Sequence, residues 1–237
     1  MIQIECDAIL FDLDGVLIDS TACIKRHWQQ WAQQQGIDVA DIMQVAYGRR
    51  TIETIRLVAP HLCAEEEARQ LAAVEAADTQ GVITIEGAPS LLNSLPMDTW
   101  AIATSGTRDV ATVRLKHAGL PIPTILVTAE DVTNGKPDPE PYLAAARGLG
   151  IPADHCVVIE DSPAGIGAAC SAGMQTVAIT TTHTHYDLGN ANVIARHLSD
   201  IHIENGSTCR LAIQIESDKI PSDTRQTLPA APAPQGD

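Results

Sequence analysis

The sequence has few basic residues for its length. Among its 237 residues, 15 are Lys or Arg and 30 are Asp or Glu, which gives a net charge of −15. A protein that binds a nucleic-acid duplex needs a basic face for the phosphates, so we expect no nucleic-acid partner. An acidic chain can still bind one small anion where a metal ion, a lysine or helix N-termini are concentrated.

Long apolar runs and closely paired cysteines are also missing. No apolar run approaches the roughly 18 residues that would span a bilayer, and the first ten residues, MIQIECDAIL, have neither the basic segment nor the cleavage site of a secretory signal. We therefore expect a cytoplasmic protein with no membrane partner. The six cysteines form no C-x-x-C pair, which predicts reduced thiols and not a disulfide or zinc framework.

What the sequence does contain is an alternation of strand-like and helix-like segments. Three helix-like stretches, Arg108–His117, Glu140–Gly148 and Ala164–Ala172, lie among the later of several short apolar runs. These runs are Ala8–Phe11, Trp100–Ala103, Ile125–Thr128, Cys156–Ile159 and Thr176–Ile179. Strands that are apolar along their whole length indicate a parallel sheet covered on both faces. The sequence therefore predicts an α/β fold with a doubly wound, Rossmann-like parallel sheet.

Residues 20–86 differ in kind, because they show helical spacing and few strand signals. We expect them to form a small helical domain inserted into a core made of residues 1–19 and 87–204. Residues 205–237 are harder to interpret. Their stretch CRLAIQIE could be an edge strand, and the Pro- and Ala-rich end, LPAAPAPQGD, is expected to be a disordered tail.

Polar loops follow four of the predicted strands. Since ligands of parallel α/β sheets bind beyond the carboxyl ends of the strands, these loops are expected to meet in one crevice. They are DLDG (Asp12–Gly15), TSGT (Thr104–Thr107), NGKPDP (Asn134–Pro139) and EDSPAG (Glu160–Gly165). Their convergence is a stronger signal than any one of the four motifs.

Four carboxylates in two of these loops predict a metal site. Asp12, Asp14, Glu160 and Asp161 would repel one another unless a hard divalent cation lay among them. Ligands that are all oxygen suit Mg²⁺ better than zinc, which usually takes nitrogen or sulfur. The sequence thus predicts Mg²⁺ as the cofactor.

The other polar loop residues suit phosphoryl transfer. A carboxylate held by a metal can act as a nucleophile and form an aspartyl-phosphate. Lys136 can neutralise the transferring group, while the Thr104 hydroxyl and the backbone donors of Ser105 and Gly106 can hold its oxygens.

The four motifs resemble those of the haloacid dehalogenase-like hydrolases. In order, they are D-x-D-G-V-L-x-D-S, a Thr after an apolar strand, G-K-P-D-P and an apolar run followed by E-D-S-x-x-G-I, over residues 6–179. The helical insertion stands where the subfamily with an α-helical cap has it. The order and number of the motifs make the resemblance specific.

The resemblance implies a role for each matching residue. Asp12 would be the nucleophile that becomes phosphorylated, and Asp14 the general acid and base. Asp12, the backbone carbonyl of Asp14 and Asp161 would hold Mg²⁺, with Glu160 acting directly or through an intervening group. Thr104 would bind the phosphate, and Lys136 would bridge nucleophile and phosphate. Two further acids, Asp19 and Asp138, are expected to orient their own loops.

Within this family several reactions compete. Asp14 favours phosphoryl chemistry, because the dehalogenases themselves lack this second aspartate. Phosphonate hydrolysis needs a cap lysine, and the insertion contains only Lys25. A β-phosphoglucomutase-like activity remains an alternative, although such mutases have a cap histidine where this chain has Ile24, with His27 nearby. They also use a cap lysine, which residues 65–87 lack.

We therefore expect a magnesium-dependent phosphatase of small sugar or polyol phosphates. A catalytically silent binding or regulatory module is the alternative from a different class. The oligomeric state is expected to be a monomer or a weak homodimer.

The cap segment AYGRRTIETIR offers two candidate substrate-binding residues, Arg49 and Arg50, and the sequence does not choose between them. Trp28 and Trp31 share a helical stripe with Ile24 and are expected in the core of the cap. The stretch THTH, with His183 and His185, is expected to be a surface loop without a metal.

Overall fold

The computed structural model describes residues 1–205 and 211–215. The expected C-terminal tail lies outside the described residues. The strands are β1 (Ile2–Cys6), β2 (Ala8–Phe11), β3 (Ile18–Asp19), β4 (Ile83–Thr84), β5 (Trp100–Ala103), β6 (Leu126–Val127), β7 (Cys156–Glu160), β8 (Gln175–Ile179), β9 (Val193–Ala195), β10 (Ile201–Asn205) and β11 (Leu211–Ile215). The helices are α1 (Thr21–Gln35), α2 (Val39–Ala46), α3 (Thr51–Val58), α4 (Ala64–Ala77), α5 (Ala88–Ser94), α6 (Arg108–His117), α7 (Glu140–Leu149) and α8 (Pro163–Ser171).

The main sheet has six parallel strands in the order β6-β5-β2-β7-β8-β9. The strand of this sheet that comes first along the chain, β2, lies in the middle of the sheet. The later strands are added outward from it on both sides. Every residue of β2, β5 and β7 is buried, because helices cover both faces. The structure confirms the doubly wound α/β fold. The sequence does not predict the edge strand β9, whose three apolar residues stand between Asn192 and Arg196.

A second, antiparallel sheet has the order β1-β11-β10. Ile213 of β11 lies opposite Ile4 on one side and Ile203 on the other. This strand is therefore in the middle of the small sheet. The sequence suggests an edge strand for CRLAIQIE, and the structure corrects this. Four of its five residues are buried, and a strand so apolar is protected when both of its edges are paired.

The helices α1–α4 stand between two short strands that pair with each other. Ile18 of β3 lies opposite Thr84 of β4, so the chain enters and leaves this helical segment at adjacent points. The segment has a hydrophobic cluster of its own. Trp28 and Trp31 belong to it, with their rings edge to face at a centroid distance of 5.4 Å, as the helical stripe predicts.

The helices of residues 1–205 and 211–215 were compared with the requirements for crossing a membrane. None of the helices found there combines the length and the apolar character that crossing a bilayer requires.

We predict that Phe11→Ala lowers the free energy of unfolding by about 3–5 kcal/mol, because Phe11 is fully buried and its removal leaves a cavity. Its ring also packs edge to face on Trp100 at 6.2 Å. Urea denaturation followed by circular dichroism measures the change. The control is Met97→Ala, since Met97 is half exposed. Equal losses in the two variants would contradict the packing described here.

Candidate active site

The four polar loops meet at the carboxyl edge of the main sheet, as expected. Asp12 follows β2 and lies between its two neighbours, because β2 pairs with β5 on one side and β7 on the other. Thr104 follows β5, and Glu160 ends β7. The chain reverses its winding direction at β2, where parallel sheets form their ligand crevice.

Lys136 is the centre of the site. Its side chain is 0% exposed, and its Nζ donates to Asp12 Oδ1 at 2.8 Å and to Glu160 Oε1 at 2.7 Å. Burial disfavours the charged ammonium, but the two carboxylates outweigh burial and raise the pKa of Lys136. The ring of Tyr142 lies 4.8 Å from Nζ and adds a cation–π contact. Lys136 thus remains charged.

Glu160 is held by donors on both of its oxygens. Oε1 accepts from Lys136 and from the Tyr142 hydroxyl at 2.8 Å. Oε2 accepts from the backbone N–H groups of Asp161 and Ser162 and from Ser162 Oγ, at 2.8–3.0 Å. Burial opposes ionisation, yet Lys136 and these donors lower the pKa of Glu160. No side chain fits at position 165, where a Cβ on Gly165 would lie 1.6 Å from Oε1.

Lys136 alone does not balance the charge of Asp12, Glu160 and Asp161 when all three are ionised, so the two aspartates resist ionisation. Burial, followed by the charge of Glu160, raises the pKa of Asp161 well above its ordinary value. Burial also raises the pKa of Asp12 to about 7, with Lys136 opposing. Carboxyl oxygens of Asp12, Glu160 and Asp161 all lie within 4.8 Å of one another. Three carboxylates around one ammonium fit a divalent cation, whose charge would remove the excess.

Gly15 allows this close approach. Its φ of +90° is a backbone conformation that favours glycine, and a Cβ there would lie 1.9 Å from Asp161 Oδ2. A larger residue at this position would push the Asp161 carboxylate out of the site.

The carboxylate of Asp14, in the same DLDG loop as Asp12 and Gly15, is held by two hydrogen-bond donors. Its Oδ1 accepts from Ser20 Oγ at 2.6 Å and from Arg114 Nη1 at 2.8 Å. Arg114 lies on α6, and its side chain is almost completely buried. Arg114 is not among the site residues predicted from the sequence, although the helical spacing of Val110, Arg114 and their buried neighbours places it on the inner face of α6.

Two polar groups of the loop that is expected to bind phosphate already make hydrogen bonds within the protein. The backbone N–H of Gly106 donates to Thr104 Oγ1 at 3.1 Å. The Ser105 hydroxyl donates to the carbonyl of Gly48, at 2.8 Å, and so links the loop to the helical segment. Thr104, Ser105 and Gly106 all line the pocket that contains Asp12 and Asp14.

The two candidate arginines of the helical segment lie in different places. Arg50 is buried, and its guanidinium donates to Glu53 and to the carbonyls of Ala129, Val132 and Thr133. It therefore fastens α3 to the loop that leads to Lys136. Arg49 is half-buried and lines the pocket.

Comparison with known proteins decides the family. Residues 9–179 match the family model described as haloacid dehalogenase-like hydrolase. The chain belongs to the haloacid dehalogenase-like hydrolases.

Two curated proteins are similar to most of the chain. Hexitol phosphatase A of Escherichia coli (strain K12) is 36% identical over 208 residues, which cover 84% of this chain and 94% of that protein. Glycerol-1-phosphate phosphohydrolase 2 of Saccharomyces cerevisiae (strain ATCC 204508 / S288c) is 35% identical over 232 residues, 92% of this chain and 90% of that protein. A crystal structure of β-phosphoglucomutase from Clostridium difficile has a TM-score of 0.68 and 26% identity, covering 82% and 92% of the two chains.

The THTH stretch reaches the site of this haloacid dehalogenase-like hydrolase, although a surface loop was expected. The Thr182 hydroxyl donates to Asp161 Oδ2 at 2.5 Å. His183 Nδ1 lies 3.0 Å from the Asp161 carbonyl, and its ring packs against Tyr47. His185 is exposed, as expected. The signal that could have found Thr182 is its place after β8, another parallel strand of the same sheet.

Two other expectations concern acids outside the cluster. Asp19 accepts from the backbone and hydroxyl of Thr21, and Asp138 accepts from the backbone of Glu140. Both therefore orient their own loops, in agreement with the sequence analysis.

We predict that Asp12 makes the metal-free protein less stable as pH rises. Its pKa is about 7 in the folded chain against an ordinary 3.8, so the folded state binds more protons between these values. The stabilisation is complete below pH 3.8 and is lost through pH 7, with a slope of at most about 1.4 kcal/mol per pH unit.

Urea denaturation in EDTA, at several pH values, compares the wild type with Asp12→Asn. The contributions of titrating groups that do not interact with Asp12 cancel in the difference between the two proteins, so the difference reports Asp12 and its coupling to Lys136 and Asp161. The variant should gain stability relative to the wild type from pH 4 to pH 7. A constant difference, or a drift in the opposite direction, would show that Asp12 titrates elsewhere.

Proposed function

We propose that this chain is a magnesium-dependent phosphatase that hydrolyses small sugar or polyol phosphates through an aspartyl-phosphate at Asp12. The observation that carries the proposal is the position of the Asp12 carboxylate and the ion pair that it forms. Lys136 holds its Oδ1, and the residue lines the pocket beside Asp14. The names of the two curated relatives, a hexitol phosphatase and a glycerol-1-phosphate phosphohydrolase, support the same chemistry.

The reaction would proceed in two displacements. In the first, an Asp12 oxygen attacks phosphorus, the bond from phosphorus to the ester oxygen breaks, and Asp14 gives its proton to the departing alcohol. In the second, Asp14 takes a proton from water, whose oxygen attacks phosphorus and releases Asp12 and inorganic phosphate. Lys136 and Thr104 would hold the phosphoryl oxygens during both steps.

Mg²⁺ would be held by the carboxylates of Asp12 and Asp161 and by the backbone carbonyl of Asp14. When bound, it would neutralise charge on the phosphoryl group and the nucleophile. Both oxygens of Glu160 already accept hydrogen bonds from the protein. We therefore propose that Glu160 positions Lys136 and the Asp161 backbone and does not bind the ion directly.

Residues 20–86 would act as a cap domain over the core of residues 1–19 and 87–204. The adjacent strands β3 and β4 would serve as its hinge, and closure would shield the reacting centre from water. Of the two arginines, Arg49 would contact substrate, because Arg50 is committed to carbonyls of the core.

A β-phosphoglucomutase-like activity is the second candidate, and it is favoured by the structural similarity to a protein of that name. The pocket argues against it. Ile24 lines the pocket where such mutases carry a histidine, and His27 is buried with its Nε2 3.0 Å from Asp78. Lys25 is exposed. Hydrolysis is therefore the better proposal, and the complete set of polar groups around Asp12 argues against a silent module.

A panel of hexose, pentose and glycerol phosphates tests the reaction, with free phosphate and isomeric products measured in Mg²⁺. We expect phosphate release by the wild type. Asp12→Asn should retain the fold and lose at least about a thousandfold in kcat, because the nucleophile is gone. Isomer formation without phosphate release would favour the mutase, and an active Asp12→Asn variant would exclude Asp12 as the nucleophile.

Thermal unfolding with and without Mg²⁺ tests the metal site. At a hundredfold excess over Kd, Mg²⁺ should stabilise the wild type by about 2.7 kcal/mol, which raises Tm by several degrees. Asp161→Asn should lose most of this shift at the same Mg²⁺ concentration. The control is Asp109→Asn, an exposed acid on α6, which should keep it. An undiminished shift in Asp161→Asn would remove Asp161 from the metal site.

A further inference from the structure

Glu75 is an acid of the helical segment that the proposed reaction does not use. It lies near the end of α4, is 8% exposed and lines the pocket that contains Asp12 and Asp14. Burial raises the pKa of its carboxyl, and the charge of Arg114 opposes the shift. An acid in this position is costly unless a partner satisfies it.

Arg114 lines the same pocket from the side of the core. Its side chain is 3% exposed, and Nη1 donates to Asp14. Its Nε and Nη2 are buried and have no hydrogen-bond partner among the described residues. Besides Asp14, the Glu75 carboxylate acts on the charge of Arg114, but no ion pair joins the two side chains in the described ranges. Arg114 therefore has two unused donors, and Glu75 supplies acceptors in the same pocket.

We propose that Glu75 and Arg114 together bind a hydroxyl group of the departing alcohol and so select polyol phosphates over simple alkyl phosphates. This inference rests on the proposed phosphatase function. A hydroxyl oxygen can accept from an Arg114 N–H while its own hydrogen is donated to Glu75. An alkyl group can do neither, and it would leave the buried donors and the acid unsatisfied.

The position of Arg114 also indicates which hydroxyl is bound. The same guanidinium holds Asp14, the residue proposed to protonate the ester oxygen. A group that contacts Arg114 therefore lies close to the ester carbon of the substrate. The substrate class is the phosphate monoester of a polyol with a hydroxyl on the carbon next to the ester carbon.

Two substrates with the same carbon skeleton test the proposal. Propane-1,2-diol 1-phosphate carries the neighbouring hydroxyl as its only one, and n-propyl phosphate lacks it. The readout is the ratio of kcat/KM for propane-1,2-diol 1-phosphate to kcat/KM for n-propyl phosphate. In Glu75→Leu this ratio should fall by about tenfold to a hundredfold, as expected for a lost hydrogen bond to a charged group. Glu75→Gln keeps one acceptor and should give an intermediate ratio.

The matched control is Glu66→Leu, the same substitution at an exposed position of α4, which should keep the wild-type ratio within twofold. If Glu75→Leu fails to fold, as judged by circular dichroism, the Gln variant gives the answer. An unchanged ratio in the folded Glu75 variants would overturn the inference and leave the phosphatase proposal standing. No phosphate release from any ester by the wild type would instead overturn the proposed function itself.

Discussion

The buried ammonium of Lys136 between Asp12 and Glu160 is the interaction on which the rest of this site depends. The carboxyl ends of adjacent parallel strands bring three carboxylates within 4.8 Å of one another, and such a cluster is unstable without positive charge. Lys136 arrives from a different loop, after β6, and supplies one such charge inside the protein. The remaining negative charge is what makes the cluster suitable for a divalent cation.

Much of the surrounding structure serves to hold this ammonium and its partners. Tyr142 from α7 covers it and donates to Glu160, and Ser162 at the start of α8 donates to the other Glu160 oxygen. From the helical segment, Arg50 binds the carbonyls of the loop that leads to Lys136. Two helices of the core thus hold Lys136 and Glu160, and the start of one helix of the helical segment holds the loop that precedes Lys136. The helical segment is in this way coupled to the loop that leads to Lys136, and it also lines the pocket.

The sequence predicted the parallel sheet and the residues at its carboxyl edge, because these follow from local patterns. A run of buried β-branched residues followed by polar ones is visible in a single segment, and the topology of parallel sheets then brings the ends together. Such local patterns do not point to Arg114, Glu75, Tyr142 or Thr182. Three of them lie on helices, where the direction of a side chain depends on how the helix packs against elements distant in sequence.

Local pattern thus determined which residues follow each strand of this hydrolase and, through the four motifs, the family to which it belongs. Tertiary packing decided which of those residues line the pocket and which have their polar atoms bound by other parts of the protein. Arg49 and Arg50 are adjacent in the sequence, yet one lines the pocket and the other is bound to core carbonyls. Glu160 and Asp161 are also adjacent, yet protein donors surround only the first on both oxygens. Neighbours in sequence differ in this way because hydrogen-bond partners come from segments far along the chain, which only the folded arrangement brings together.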